Sequence, residues 1–158
     1  MNNKKRKFLR LGFACYCIAL FSILFLRYGG SFQNLTVRSY FGWVLDRINL
    51  IPFSSIREQL FSVGQNGAYT RRVAIRNLAA NALIFVPMGL FLPLLWVKLR
   101  RFRVCIPVWF GVIFLIEIIQ LLTLRGSFDI DDVILNSLGF LAGFCVFSIL
   151  TVFTREEK

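Results

Sequence analysis

Four carboxylates, Glu117, Asp129, Asp131 and Asp132, fall within one short stretch of this chain, together with Gln120, Arg125 and Asn136. Glu117 and Gln120 are one helical turn apart, as are Asp132 and Asn136, so each pair shares a helix face. Oxygen donors of this type are hard ligands and could hold Mg²⁺ or Ca²⁺. A carboxylate in an apolar setting could also serve as a general acid or base. The spacing matches no EF-hand loop, phosphate loop or zinc signature, and no other cofactor is evident. Histidine is absent from the chain, which removes histidine metal sites and every Ser–His or Cys–His nucleophile system. Glu117, Asp129 and Asp132 are the candidate catalytic residues, and Arg76, Asn81, Gln120, Arg125 and Asn136 the candidate ligand-binding residues. A purely structural reading stands beside each. Asp129 could cap a helix whose first turn favours Asp131 and Asp132, and Glu117 and Gln120 could bond between helices.

The elements that position these residues follow from composition. Of 158 residues, 57% are hydrophobic and 17% charged, against about 45–50% and about 25% in soluble domains. So much apolar side chain cannot be hidden in so small a volume, and a membrane protein follows. The net charge of +11 would suggest nucleic acid in a soluble chain. Here the charges flank apolar runs, so no nucleic-acid partner is expected. Four runs, 8–26, 78–97, 104–124 and 130–153, suit membrane-spanning helices, which need about 20 residues. The reading is an all-α membrane protein, a single domain over 1–158.

The Lys4–Lys7 run before the first span resembles the start of a secretory signal. Its length, and the lack of a small-residue cleavage site at Arg27–Gly30, favour an uncleaved anchor. The basic loop 98–103, with Lys98, Arg100, Arg101 and Arg103, then places both termini in the cytoplasm. The connection 27–77 is extracytoplasmic and carries an interfacial or re-entrant segment, because residues 46–63 are too apolar for a free loop. Pro52 imposes a bend there, and Ser55-x-x-Glu58 reads as a capping box before a helix near 56–63. Gly64-Gln65-Asn66-Gly67 reads as a turn, and Arg71, Arg72 and Arg76 lead into the second span. Cys15, Cys17, Cys105 and Cys145 read as small packing residues, not disulfides.

Glu117 lies seven residues short of the outer end of its span, and Asn136 six residues past the start of the next, each about 10 Å deep. Asn77 and Asn81 share a face at the outer end of the second span. Three helices thus carry polar groups at one depth, where such groups are costly and informative. Asp132, Asn136, Gly139 and Gly143 form one stripe, and the glycine pair allows a close helix contact. Pro87 and Pro93 each remove a backbone donor and permit a kink.

Asn49-Leu50-Ile51-Pro52-Phe53, Asn81-x-x-x-Phe85-x-Pro87-x-Gly89, Glu117-x-x-Gln120 and Arg125-x-x-x-Asp129-x-x-Asp132-x-x-x-Asn136-x-x-Gly139 occur in that order. In this the chain resembles the VanZ-like membrane proteins, named for a teicoplanin-resistance protein. The resemblance implies a multi-pass protein of the bacterial cytoplasmic membrane and cell envelope. It also implies a role in reduced susceptibility to teicoplanin-type antibiotics. Two mechanisms stay open. One is binding of a lipid-linked or phosphate-bearing envelope component, or of the lipoglycopeptide itself, at the outer face. The other is a membrane-embedded enzyme, with Mg²⁺ or Ca²⁺ at the acidic cluster, acting on a lipid-linked phosphate or sugar.

Overall fold

The computed structural model describes residues 3–26, 36–65 and 67–156. In chain order these form α1 (Asn3–Phe21), a π-helical turn (Ser22–Leu26), α2 (Val37–Asp46), β1 (Ile48–Asn49), α3 (Ser54–Gln65) and α4 (Gly67–Ile84). Then follow α5 (Val86–Leu95), a 3-10 turn (Val97–Arg100), α6 (Phe102–Leu122), β2 (Phe128–Asp129) and α7 (Ile130–Glu156). Four stretches are long and apolar enough to cross a membrane: Asn3–Leu26, Ile75–Leu95, Phe102–Leu122 and Ile130–Val152. The protein is a multi-pass helical membrane protein, as the composition requires. In lipid only a backbone bonded to itself can cross. The Arg27–Gly30 segment and the centre of the expected 64–67 turn, Asn66, lie outside the described residues.

Helix α7 is the hub. It packs on α4, α5 and α6, and 44% of its membrane window is buried, against 6% for the first span. Gly139 and Gly143 set its distance from the second span: a Cβ on either would overlap a backbone carbonyl, Ala82 O or Val86 O. Gly89 answers from α5, where a Cβ would overlap Phe140 O. Backbone therefore lies directly on backbone, as the small-residue spacing predicts. On the other side Trp109 of α6 stacks on Phe140 at 4.3 Å between ring centres, and Phe85 meets Trp109 edge-on at 5.0 Å. The buried indole N–H donates to Ser137 Oγ at 3.0 Å.

The second span is broken into two helices, where the sequence predicts a kink. α4 ends at Ile84, Phe85 has φ −99° and ψ 1°, and α5 begins with Pro87 in its first turn. Pro87 has no N–H for the carbonyl one turn back. The Tyr16 hydroxyl of α1 donates to Ile84 O at 2.8 Å, satisfying a carbonyl at the break. The helix also starts earlier than expected, at Gly67, so the arginine-bearing lead-in is continuous with the span.

The third span ends in a Schellman motif. Arg125 N donates to Gln120 O and Leu124 N to Leu121 O, with Leu124 at φ 55°. Helix ends of this kind favour glycine at the left-handed position; here a buried leucine takes it. That stop explains why the helix ends at Leu122 and not at 124. The cysteines are free thiols, but only Cys105 is buried; Cys15 and Cys145 are exposed on their spans and do not pack as expected.

Gly139→Leu is expected to destabilise the protein by about 1–3 kcal/mol, the usual cost of forcing side chain into a filled contact. Gly111 on α6 has nothing within 4 Å of an added Cβ. Gly111→Ala is therefore expected to hold or raise stability. Thermal unfolding of the two variants in detergent, followed by tryptophan fluorescence, compares them directly.

Candidate functional site

The polar residues converge at the end of the bundle where α6 stops and α4 and α7 begin their apolar stretches. Three structural devices build this end, and each uses side chains singled out by the sequence.

The first device fastens the long connection to α7. β1 pairs in parallel with β2, Ile48 beside Phe128 and Asn49 beside Asp129. Beyond β1 the chain turns at Pro52, with Phe53 at φ 65° and Ser54 N donating to Ile51 O at 3.3 Å. Proline followed by a left-handed residue is the pattern of a type II turn. The turn aims the start of α3 at the Asp131 carboxylate, which accepts from Ser55 N at 2.9 Å, Ile56 N at 3.0 Å and Phe53 N. Asp131 thus caps α3 from 75 or more residues away. The expected local capping box at Ser55 does not form. Ser55 lies inside the helix, and its hydroxyl donates to Asp129 Oδ2. An aspartate from another helix supplies two strong acceptors to N–H groups that a serine cap would reach one at a time.

The second device is Asp129 itself. Its Oδ1 accepts from Asp131 N at 2.9 Å, the geometry of a helix cap, and from Asn49 Nδ2 at 3.4 Å. Asn49 Nδ2 also reaches Ser54 Oγ at 2.7 Å and Ser55 Oγ at 2.9 Å, while its Oδ1 accepts from Ile51 N at 3.2 Å. Asp129, a candidate catalytic residue, therefore has both oxygens engaged in holding the fold.

The third device ties down the first span. Gln120 Nε2 donates to Leu24 O at 3.2 Å and Arg125 Nη1 to Phe25 O at 2.7 Å. These carbonyls belong to the π-helical turn at the span's end, where a helix leaves carbonyls without partners of its own. Two residues expected to bind ligand thus complete a neighbouring helix. Tyr40 of α2 does the same for α6, its hydroxyl donating to Leu122 O at 2.9 Å.

Glu117, Asp132, Asn81 and Asn136 remain. Glu117 lies on the buried stripe of α6 that includes Trp109, Ile113 and Leu121, and only 2% of it is exposed. Its nearest acidic neighbours are Asp132 and Asp129. Asp132 Oδ1 accepts from Asn81 Nδ2 of α4. A carboxylate offers about four acceptor sites, so Glu117 and Asp132 keep capacity that Asp129 and Asp131 have largely used. Asn136 follows one turn below Asp132, and its buried Oδ1 has no hydrogen-bond partner among the described residues. Arg76 is exposed on α4, about 7.5 Å along the helix from Asn81. The structure therefore brings Asn81, Glu117 and Asp132 together from three helices, with Asn136 one turn below Asp132 on its helix, and places Gln120, Arg125 and Arg76 in other surroundings.

Among the described residues, no group of three or more His, Cys, Asp or Glu is arranged to hold a metal ion. The oxygen-rich cluster of Glu117, Asp132 and Asn136 includes only two carboxylates. Sequence reasoning missed the roles of Asn49, Ser54 and Ser55 as partners of the aspartates. The signal was present in the Asn-x-x-Pro-Phe-Ser-Ser run, whose polar side chains sit too regularly for a featureless loop.

Asp131→Asn is expected to release the start of α3 while leaving the spans assembled. Each backbone bond to a charged acceptor contributes about 1.5–3 kcal/mol. Hydrogen exchange at Ser55 and Ile56 should accelerate by about tenfold or more, since each 1.4 kcal/mol is a factor of ten. Exchange within α6 should stay as in the wild type. Arg125→Gln should in turn raise exchange at the end of the first span and leave α3 unaffected.

No curated protein and no solved structure matches the chain. Residues 13–151 match the model of the VanZ/LLP1 family, a region that holds every element of the polar end, and the chain belongs to that family.

Proposed function

We propose that this protein binds an amphiphilic, lipid-linked component of the cell envelope at the polar end of its bundle. By that binding it would reduce the access of teicoplanin-type lipoglycopeptides to their target. The observation that carries the reading is the position and surface of α2 and α3. α2 is tied to the end of α6 and α3 to the start of α7, yet these helices and the turn between them expose large apolar side chains: Val37, Phe41, Leu45, Leu50, Ile51, Phe53 and Phe61 are each more than half exposed. Exposed arginines alternate with them, and two lie over aromatic rings, Arg47 over Trp43 at 4.2 Å and Arg57 over Phe61 at 5.2 Å. A surface of this kind suits the interface of a bilayer, where an acyl chain and a phosphate or sugar headgroup meet. Guanidinium groups match phosphate oxygens in pairs.

The orientation belongs to the same proposal. Lys98, Arg100, Arg101 and Arg103 at the opposite end favour the cytoplasm, which sets the polar end and α2–α3 outside the bacterial cytoplasmic membrane, with both termini inside.

A second reading has its own observation. Glu117 and Asp132 come from different helices and retain acceptor capacity, and one turn below Asp132 lies the buried Asn136 Oδ1, which has no hydrogen-bond partner among the described residues. That arrangement supports an enzyme acting on a lipid-linked phosphate or sugar, with Glu117 as general base and Asp132 as its electrostatic partner or as ligand to a divalent cation.

The discriminating experiment expresses the wild type, Glu117→Gln and Asp132→Asn at matched membrane levels in a sensitive Gram-positive host, and measures teicoplanin susceptibility. Asn at 132 can still accept the Asn81 bond, so packing is retained. The binding reading expects protection by the wild type and by both variants within about twofold, because the contacts need no proton transfer. Loss of protection in both variants would move the enzyme ahead, since an amide replaces neither charge nor base. Absence of protection from the wild type would overturn the antibiotic role.

A further inference from the structure

A second candidate site lies at the other end of the molecule. Between the second and third spans the chain leaves α5 at Leu95, runs through an extended Trp96 and the 3-10 turn, and enters α6 at Phe102. A cavity of about 390 Å³ opens there, lined by Val97, Lys98, Arg101 and Val104. It lies about 22 Å from Glu117 along α6, fifteen residues at 1.5 Å each, so it is separate from the polar end.

Its chemistry is amphiphilic. Two cationic side chains and two valines line one opening, and Val97 is 71% exposed and Val104 41%. The neighbouring Arg100 is turned away, its Nε donating to Pro93 O at 3.1 Å, where Pro93 sits inside α5. Arg103 belongs to the same basic run but does not line the cavity. Trp96, 46% exposed, marks the level of the membrane boundary, where tryptophan collects. The volume is at the small end of the range of about 300–1,000 Å³ for ligand pockets. It suits a headgroup and the first carbons of its chains, not a whole lipid.

We propose that this cavity is a binding site for an anionic phospholipid of the surrounding bilayer. The phosphate lies between Lys98 and Arg101, and the glycerol end of the acyl chains lies along Val97 and Val104. Charge complementarity and position at the span ends select this occupant. A basic pocket between spans is a recurring recognition site for anionic headgroups, whereas a soluble anion would make no use of the valines.

The test is native mass spectrometry of the full chain in detergent, titrated with phosphatidylglycerol, phosphatidylcholine or inorganic phosphate. Wild type and Arg103→Gln are expected to retain phosphatidylglycerol in preference to phosphatidylcholine. The double variant Lys98→Gln/Arg101→Gln should weaken that retention by about tenfold or more, each cationic contact near a membrane surface being a substantial contribution. Arg101→Lys should keep it. Equal loss in Arg103→Gln would overturn the site in favour of general charge attraction. Phosphate competing as well as the lipid would overturn the lipid as occupant. Should the double variant fail to give monodisperse protein, Lys98→Gln alone, at an exposed position, makes the same comparison against Arg103→Gln.

Discussion

Direct backbone contact between α7 and the broken second span is the constraint on which the rest of the molecule depends. Gly139 and Gly143 lie against the carbonyls of Ala82 and Val86, and Gly89 lies against Phe140 O. No side chain stands between these segments, so the relative depth of the two helices is fixed by the backbone alone. In lipid no hydrophobic force drives helices together, and close packing of this kind has to supply the association. Fixing the register also brings Asn81 opposite Asp132, which lies about two and three turns of α7 before Gly139 and Gly143.

That register lets a polar end exist inside an apolar bundle. A buried polar group without a partner is costly, and a buried charge more so. The protein meets this cost by making several acids structural. Asp131 and Asp129 hold the start of α3 and the start of α7 together, so the connection between the first two spans becomes part of the domain. Gln120 and Arg125 do the same for the carbonyls at the end of the first span. The short region from Gln120 to Asp132 thereby touches the π-helical turn that ends the first span, α2, β1, α3 and α4. What remains is the Glu117–Asp132 pair with Asn136 beneath Asp132, set below a fastened cap whose outer surface is apolar and arginine-bearing.

The two ends of the bundle then differ in kind. One is acidic, buried and closed by its own connection. The other is basic and open, with a short turn between spans and a cavity flanked by cations.

Much of this was legible in the sequence for a definite reason. A span is a local property: about 20 apolar residues satisfy their own backbone wherever the rest of the chain lies. The four spans, the shared depth of Asn81, Glu117 and Asn136, the break at Pro87 and the glycine stripe of α7 all follow from spacing within one segment. The assignment of roles among the polar residues does not. Whether Asp129 is catalytic or holds the fold depends on Ser55, which end of which helix Asp131 caps depends on Ser55 and Ile56, and whether Gln120 and Arg125 meet a ligand or a helix end depends on Leu24 and Phe25. Those partners lie about 75 to 100 residues away. Nothing local encodes which carboxylate receives which N–H, because the donors are backbone groups that every residue carries. The sequence by itself determined the four helices apolar enough to span a membrane and where along each of them the polar groups fall. Only the tertiary structure decided which of those groups are bound into the fold and which keep the capacity to act.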